Sequence, residues 1–287
     1  MNTTVGAALA DRRLPGLELR MLLQHVTGWA AVRLLAHPEA ALDAAQAARY
    51  EALVARRAAG EPMAYLLGAR EFYGRPFTVD ARVLIPRPET ELLVELALRA
   101  APQGGRVLDL GTGSGAIAVT IACERPDLRL SALDASTDAL DVARANVAAL
   151  GARVELLHSD WYAALGTDAR FAVIVANPPY IAAGDPHLLQ GDLRHEPRMA
   201  LTEEVDGLAA LRRIVAGAPA HLLPGGSLLM EHGHDQAEAV RALLAATGFE
   251  AVRSHADLAG IPRATGGVWP HAPAGARVNP TGGAGLA

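Results

Sequence analysis

Between residues 106 and 176 the apolar positions fall in short runs, most of them separated by stretches of helical spacing. Arg106–Leu110, Leu128–Leu133, Val154–Leu157 and Phe171–Ala176 read as strands. The first ends in the Asp109 region, and the second runs up to Asp134. Gly115–Glu124 and Thr137–Leu150 read as helices, the latter with Gly151 at its C-terminal cap. Further on, Leu208–His221 and Gln236–Thr247 predict helices and Ser227–Met230 a strand. Glu250–His255 and Val268–Trp269 predict a closing pair of strands. Strands alternating with helices imply an α/β fold with a mostly parallel sheet and right-handed crossovers.

The N-terminal quarter has a different pattern. Leu17, Leu19, Leu22, Leu23 and Val26 recur at helical spacing, as do Tyr50, Leu53, Val54 and Arg57, with Gly28 and Pro38 as breaks. Residues 1–75 therefore predict a helical bundle. Phe72, Phe77, Val79, Val83 and Ile85 suggest a β-hairpin over 72–87 that turns at Gly74-Arg75-Pro76. The prolines of Ile85-Pro86-Arg87-Pro88-Glu89-Thr90-Glu91 force extended backbone, and a helix can start after Pro88 with Glu89 and Glu91 in its first turn. Residues 76–92 are then a hairpin and proline-rich connector, and 93–270 the α/β domain. The stretch 271–287, rich in Pro, Gly and Ala, predicts disorder.

Composition narrows the chemistry. Hydrophobic residues make up 51% of the 287, enough for a sizeable core, and the net charge is −5. That charge argues against broad nucleic-acid binding. All 26 basic residues are arginine. Cys123 is the only cysteine, so no intramolecular disulfide forms. His232 with His234, and His195 with Glu196, lack a third ligand at sensible spacing, so no metal is expected. No signal peptide or membrane span is visible, and a cytoplasmic monomer is expected.

Asp109-Leu110-Gly111-Thr112-Gly113-Ser114-Gly115 joins a strand to a helix, where open α/β sheets bind ligands. A phosphate-binding loop would need a lysine, and the chain has none. A dinucleotide loop has glycine or, less often, alanine at the position of Ala116, so that reading is weakened but stays open. The third reading is that Gly-x-Gly-x-Gly after an aspartate resembles the donor loop of class I methyltransferases. Asp134 ends the next strand and can accept from both hydroxyls of a ribose. Asp160 can accept from an exocyclic amine, and Trp161 can pack on its ring.

Asn177-Pro178-Pro179-Tyr180 follows the fourth strand. The prolines stiffen the turn and remove two donors, so the segment is rich in acceptors. The Asn177 side-chain oxygen and the Pro178 carbonyl can each accept one N–H of an NH₂ group, and Tyr180 offers an aromatic face. By themselves these residues indicate methylation of a planar NH₂ group, either a nucleobase amine or a glutamine amide. A binding module without turnover is the remaining alternative.

Several further segments resemble the peptide-chain release factor glutamine N5-methyltransferases. They are Glu61–Gly68, Glu71–Gly74, Leu84–Glu91, Ser159-Asp160-Trp161, Asp185-Pro186-His187, Gly191–Pro197 and Glu231-His232-Gly233. The resemblance implies a class I methyltransferase domain of Rossmann-like fold behind a substrate-recognizing helical domain. It implies S-adenosyl-L-methionine as cofactor, bound around Asp109, Gly111, Thr112, Gly113, Ser114, Gly115, Asp134, Asp160, Trp161 and Asn177. The substrate glutamine of a release factor would lie at Asn177, Pro178, Pro179 and Tyr180, with Asn177, Pro178 and Tyr180 taking part in catalysis. Release factors are the expected partners, with no membrane and no direct nucleic-acid binding.

Overall fold

The computed structural model describes residues 3–202 and 206–271. The disorder expected over 271–287 lies outside the described residues, His271 excepted. Five helices come first: α1 (Val5–Leu9), α2 (Gly16–Thr27), α3 (Ala31–Ala36), α4 (Ala44–Ala58) and α5 (Met63–Leu67). Leu19, Leu22 and Leu23 of α2 share one core with Tyr50, Leu53 and Val54 of α4, and with Val5, Leu34 and Leu66. Leu17 belongs to the same sequence stripe but stays exposed. Gly28 ends α2 in the left-handed conformation, and Asp43 with Gln46 forms a capping box at the start of α4.

The hairpin is shorter than the sequence suggested. β1 (Ala69–Phe72) pairs antiparallel with β2 (Arg75–Thr78). The turn is Tyr73-Gly74, both at positive φ, the geometry that matches strand twist in a two-residue hairpin loop. Pro76 therefore lies in β2 and not in the turn. Val79, Val83 and Ile85 do not extend the strand. They pack as irregular chain against Ala64, Ala139 and Val142. Buried Asn146 anchors the hairpin: its Oδ1 accepts from Thr78 N at 2.7 Å and its Nδ2 donates to the carbonyls of Thr78 and Ser114.

After α6 (Glu91–Ala100) come β3 (Arg106–Leu110), α7 (Ala116–Glu124), β4 (Arg129–Asp134), α8 (Thr137–Leu150), β5 (Val154–His158), β6 (Phe171–Ala176) and α9 (Arg198–Leu201). The chain then forms α10 (Ala209–Gly217), β7 (Leu222–Glu231), α11 (Ala237–Thr247), β8 (Glu250–Ala256) and β9 (Pro262–Val268). The seven-stranded sheet runs β5-β4-β3-β6-β7-β9-β8, parallel up to β7 and antiparallel at β9 and β8. Both faces are covered, which is why β6 is apolar throughout and β3 is apolar but for Arg106 at its start and Asp109. Val107, Val173 and Val175 face α6 and α7, whereas Leu108, Ile174 and Ala176 face α10 and α11.

Several boundaries moved from expectation, among them the last strand, which spans Pro262–Val268 where Val268–Trp269 was expected. The helix expected to reach His221 ends at Gly217 and continues as a 3-10 turn, Ala218–Ala220, containing Pro219, which has no N–H to donate. β7 starts five residues early, at Leu222, pairing Phe171 before a register shift. Among the described residues, no helix is long and apolar enough to cross a membrane.

Candidate active site

Strand order reverses between β3 and β6, opening a crevice at their C-terminal ends. The register levels those ends: Leu110 lies opposite both Leu133 and Ala176. The glycine loop, Asp134 and Asn177 therefore leave the sheet side by side. Gly111 N and Thr112 N both donate to Leu133 O, at 2.8 and 2.9 Å. Gly111, Gly113 and Gly115 all have positive φ, where a side chain is strained. A Cβ at Gly113 would point into open space, whereas one at Gly115 would lie 3.3 Å from Val119 and 3.4 Å from Ala143. Gly115 serves the packing of α7 on α8.

Asp134 Oδ2 accepts from Gly113 N at 2.8 Å and Oδ1 from Ser136 N at 2.9 Å. Each oxygen keeps capacity for another donor. Burial raises its pKa, and the N–H groups of Ser136 and Gly113 pull it back.

These residues border a cavity of about 160 Å³. Gly111, Thr112, Gly113, Ser114, Asp134, Asp160, Trp161, Asn177 and Pro179 lie on its wall. Trp161 holds φ +50°, and its ring would lie 3.7 Å from a Cβ at Gly111. The Asp160 carboxylate is paired with Arg213 at 2.7 Å, so an amine there would share it with a guanidinium. Beside Asn177 a second cavity of about 50 Å³ is lined by Pro178, Tyr180, Ile181 and Leu193. The two share Leu84, Arg87, Asn177 and Ala200.

Asp109 and Gly115, expected to contact the cofactor, are absent from both walls. Asp109 is fully buried beneath the loop and accepts from Thr112 Oγ1 at 2.7 Å. Burial pushes its pKa up to about 7, against the pull of Thr112 and of Ala118 N–H in the first turn of α7. This carboxyl braces the loop from below. Between the unfolded pKa and about pH 7 the folded state holds a proton that the unfolded state lacks, so stability falls as pH rises through that window. In urea unfolding at pH 5 and pH 8, wild type should lose on the order of 2–3 kcal/mol more stability than Asp109→Asn. Equal losses would exclude a protonated Asp109.

Arg87 and Thr90 on the wall, and Glu196 and Glu231 behind it, were not expected as site residues. Thr90 accepts from Asn177 Nδ2 at 3.1 Å. Tyr180 donates its hydroxyl to Glu231 Oε1 at 3.2 Å, at the end of β7. Arg87 pairs at 2.5 Å with Glu196, a carboxylate with no exposed side-chain surface. That pair ties the connector to the 193–201 segment, which roofs both cavities.

A family model described as the PrmC N-terminal domain matches residues 4–68, and one described as the methyltransferase small domain matches residues 88–193. The release factor glutamine methyltransferase of Burkholderia pseudomallei is 58% identical over 275 residues, spanning 93% of this chain and 96% of that protein. The chain belongs to the release factor glutamine methyltransferase family. The Escherichia coli member is 44% identical over 88% of this chain and 91% of its own length. The Thermus thermophilus 16S rRNA N2 G1207 methyltransferase, solved with AdoMet and guanosine, shares the fold at TM-score 0.52 and 23% identity, covering 70% of this chain and 49% of that one.

Two segments that carry the resemblance to release factor glutamine methyltransferases hold the residues missed from sequence, two on the wall and one behind it. Arg87 and Thr90 stand in the Leu84–Glu91 segment, and Glu231 begins Glu231-His232-Gly233. Glu231 also carried a physical signal, an acid ending a strand, which is the signal that marked Asp134. His232 is occupied as a neutral ring between the Gly233 carbonyl, 2.8 Å from Nδ1, and the Thr265 hydroxyl, 2.7 Å from Nε2.

Proposed function

We propose that this chain transfers a methyl group from S-adenosyl-L-methionine to the side-chain amide nitrogen of the glutamine in the Gly-Gly-Gln motif of release factors. The observation that carries the reading is the meeting of two cavities of unequal size at Asn177. The residues of the larger one fit the donor. Gly111 and Gly113 leave backbone uncovered, both Asp134 oxygens retain acceptor capacity toward ribose hydroxyls, and Trp161 supplies an aromatic wall. When bound, the donor supplies an electrophilic methyl group on a sulfonium.

The chain's own work concerns the acceptor nitrogen. An amide nitrogen is a poor nucleophile because its lone pair is delocalised into the carbonyl. As it attacks, it gains positive charge and its N–H groups become stronger donors. The Asn177 Oδ1 and the Pro178 carbonyl hold those two N–H groups and aim the lone pair. They bind the charge that develops better than the ground state. The proton lost afterwards is acidic, so no charged base is needed before attack. Leu84, Ile181, Leu193 and the ring of Tyr180 keep the narrow slot largely apolar.

Relatives named as release factor glutamine methyltransferases favour a carboxamide over a flipped base as the acceptor. The helical unit of residues 1–75 and the connector of 76–92 serve release factor recognition in this reading. A cytoplasmic site of action follows from such a substrate. Offering a release factor and nucleic acid side by side with labelled donor tests it. Label in the release factor is expected, and label confined to nucleic acid would overturn it.

A further inference from the structure

We propose that Gln236 is a positioning residue that holds the Tyr180 ring in place against the acceptor slot, an inference that rests on the glutamine-methylation reading above. The need for such a residue follows from the prolines. Pro178 and Pro179 have no N–H, so this stretch of the turn cannot be tied down by its own backbone donors. Its anchors must come from the flanking residues and from other elements. At the near end, Asn177 Nδ2 donates to Thr90 Oγ1 at 3.1 Å. At the far end, Ile181 N donates to Leu201 O at 3.0 Å. Tyr180 lies between them, on the wall of the slot.

Tyr180 is gripped at both of its ends from one place, the stretch 231–236 that leads from β7 into α11. Its hydroxyl donates to Glu231 Oε1 at 3.2 Å. Its carbonyl accepts from Gln236 Nε2 at 2.9 Å. The same nitrogen donates to Gly207 O at 3.2 Å, and Gln236 Oε1 accepts from Gly233 N at 2.9 Å. One carboxamide therefore ties three segments together. Gly207 is shaped for this approach. It stands at φ +70°, and a Cβ there would lie 2.3 Å from Tyr180 O and 2.9 Å from Gln236 Nε2. Only glycine lets its loop close on the pair.

A carboxamide matches these partners because it both donates and accepts. Two carbonyl oxygens need donors, and the Gly233 N–H needs an acceptor. An ionised carboxylate of the same size would meet both carbonyls oxygen to oxygen. An alanine would leave the Tyr180 side chain held at its hydroxyl alone, with the backbone end of the ring free to shift. A substrate amide resting on a displaced ring loses its alignment with the methyl group, and that loss falls on the chemical step. Gln236 lies on neither cavity wall. Its effect on the reaction runs through Tyr180.

The test compares wild type, Gln236→Glu, Gln236→Ala, Tyr180→Ala and the Gln236→Ala, Tyr180→Ala double variant in release factor methylation, with donor affinity measured separately by calorimetry. Gln236→Glu should lose about 10- to 100-fold in kcat and Gln236→Ala about 10-fold, with the release factor KM within about threefold and donor affinity retained. Adding Gln236→Ala to Tyr180→Ala should cost less than about twofold more, because the ring it positions is gone. Thermal melting establishes that each variant is folded at the assay temperature. Gln236→Ala, which adds no charge, carries the comparison if Gln236→Glu does not fold. Wild-type kcat in Gln236→Ala would overturn the proposal. So would a loss confined to donor affinity, or a further tenfold loss when Gln236→Ala is added to Tyr180→Ala. Wild type failing to label the release factor would instead sink the underlying reading.

Discussion

Asn177→Ala lowers the transfer rate constant by about 10²- to 10³-fold and leaves the release factor KM within a few fold. The reason lies in when the contact matters. In the ground state the substrate amide donates a weak, neutral hydrogen bond to Oδ1. In the transition state the same N–H carries developing positive charge and the bond becomes charge-assisted, roughly twice as strong. Removing the acceptor therefore costs mainly kcat. Alanine also leaves Thr90 Oγ1 without its donor. Single-turnover kinetics at saturating donor separates the step. An unchanged rate constant would show that Asn177 only stiffens the turn.

Asp134→Ala is the second large effect and falls on the other substrate. It should raise the donor dissociation constant by about 10²-fold, with kcat at saturating donor changed by less than about fivefold. Two losses combine. The ribose would lose a charged acceptor, and Gly113 N and Ser136 N would lose theirs, at 2.8 and 2.9 Å. The second loss loosens the loop itself, so Asp134→Asn should be the milder variant: it keeps one side-chain oxygen for one of those two N–H groups. Calorimetry with donor alone measures both variants. Untouched donor affinity in Asp134→Ala would remove the ribose assignment.

The parallel core was legible because burial on both faces leaves short, mostly apolar runs. Arg106–Leu110 and Phe171–Ala176 have the expected bounds for that reason. Thr137–Leu150 was equally clear because Gly151 ends it, in the left-handed conformation; the structure adds Ser136 as the side-chain cap at its start. The hairpin was misread because Val79, Val83 and Ile85 are apolar for a tertiary reason, contact with α8, and not for strand pairing. The turn at Tyr73 was hidden because a non-glycine residue there adopts positive φ.

At the site, the glycine loop, Asp134 and Asn177 could be read from short motifs at strand ends. Which residue of a motif touches the cavity could not. Asp109 and Gly115 stand in the loop motif yet act from behind it, one bracing the loop and the other letting two helices pack. Residues that close the site from other parts of the chain gave no local signal of contact. Thr90 is 87 residues from Asn177, and Arg87 is 109 from Glu196. Only the fold brings them together.

In the proposed reading, the two acceptors at Asn177 and Pro178 present a protein glutamine amide to the methyl donor. Peptide mapping by mass spectrometry of a release factor incubated with this enzyme and S-adenosyl-L-methionine tests it most directly. One added methyl group on the side-chain nitrogen of the Gly-Gly-Gln glutamine is expected, and none in reactions with Asn177→Ala on the same timescale. A methyl group on any other residue, or the same extent of glutamine methylation by Asn177→Ala, would contradict it.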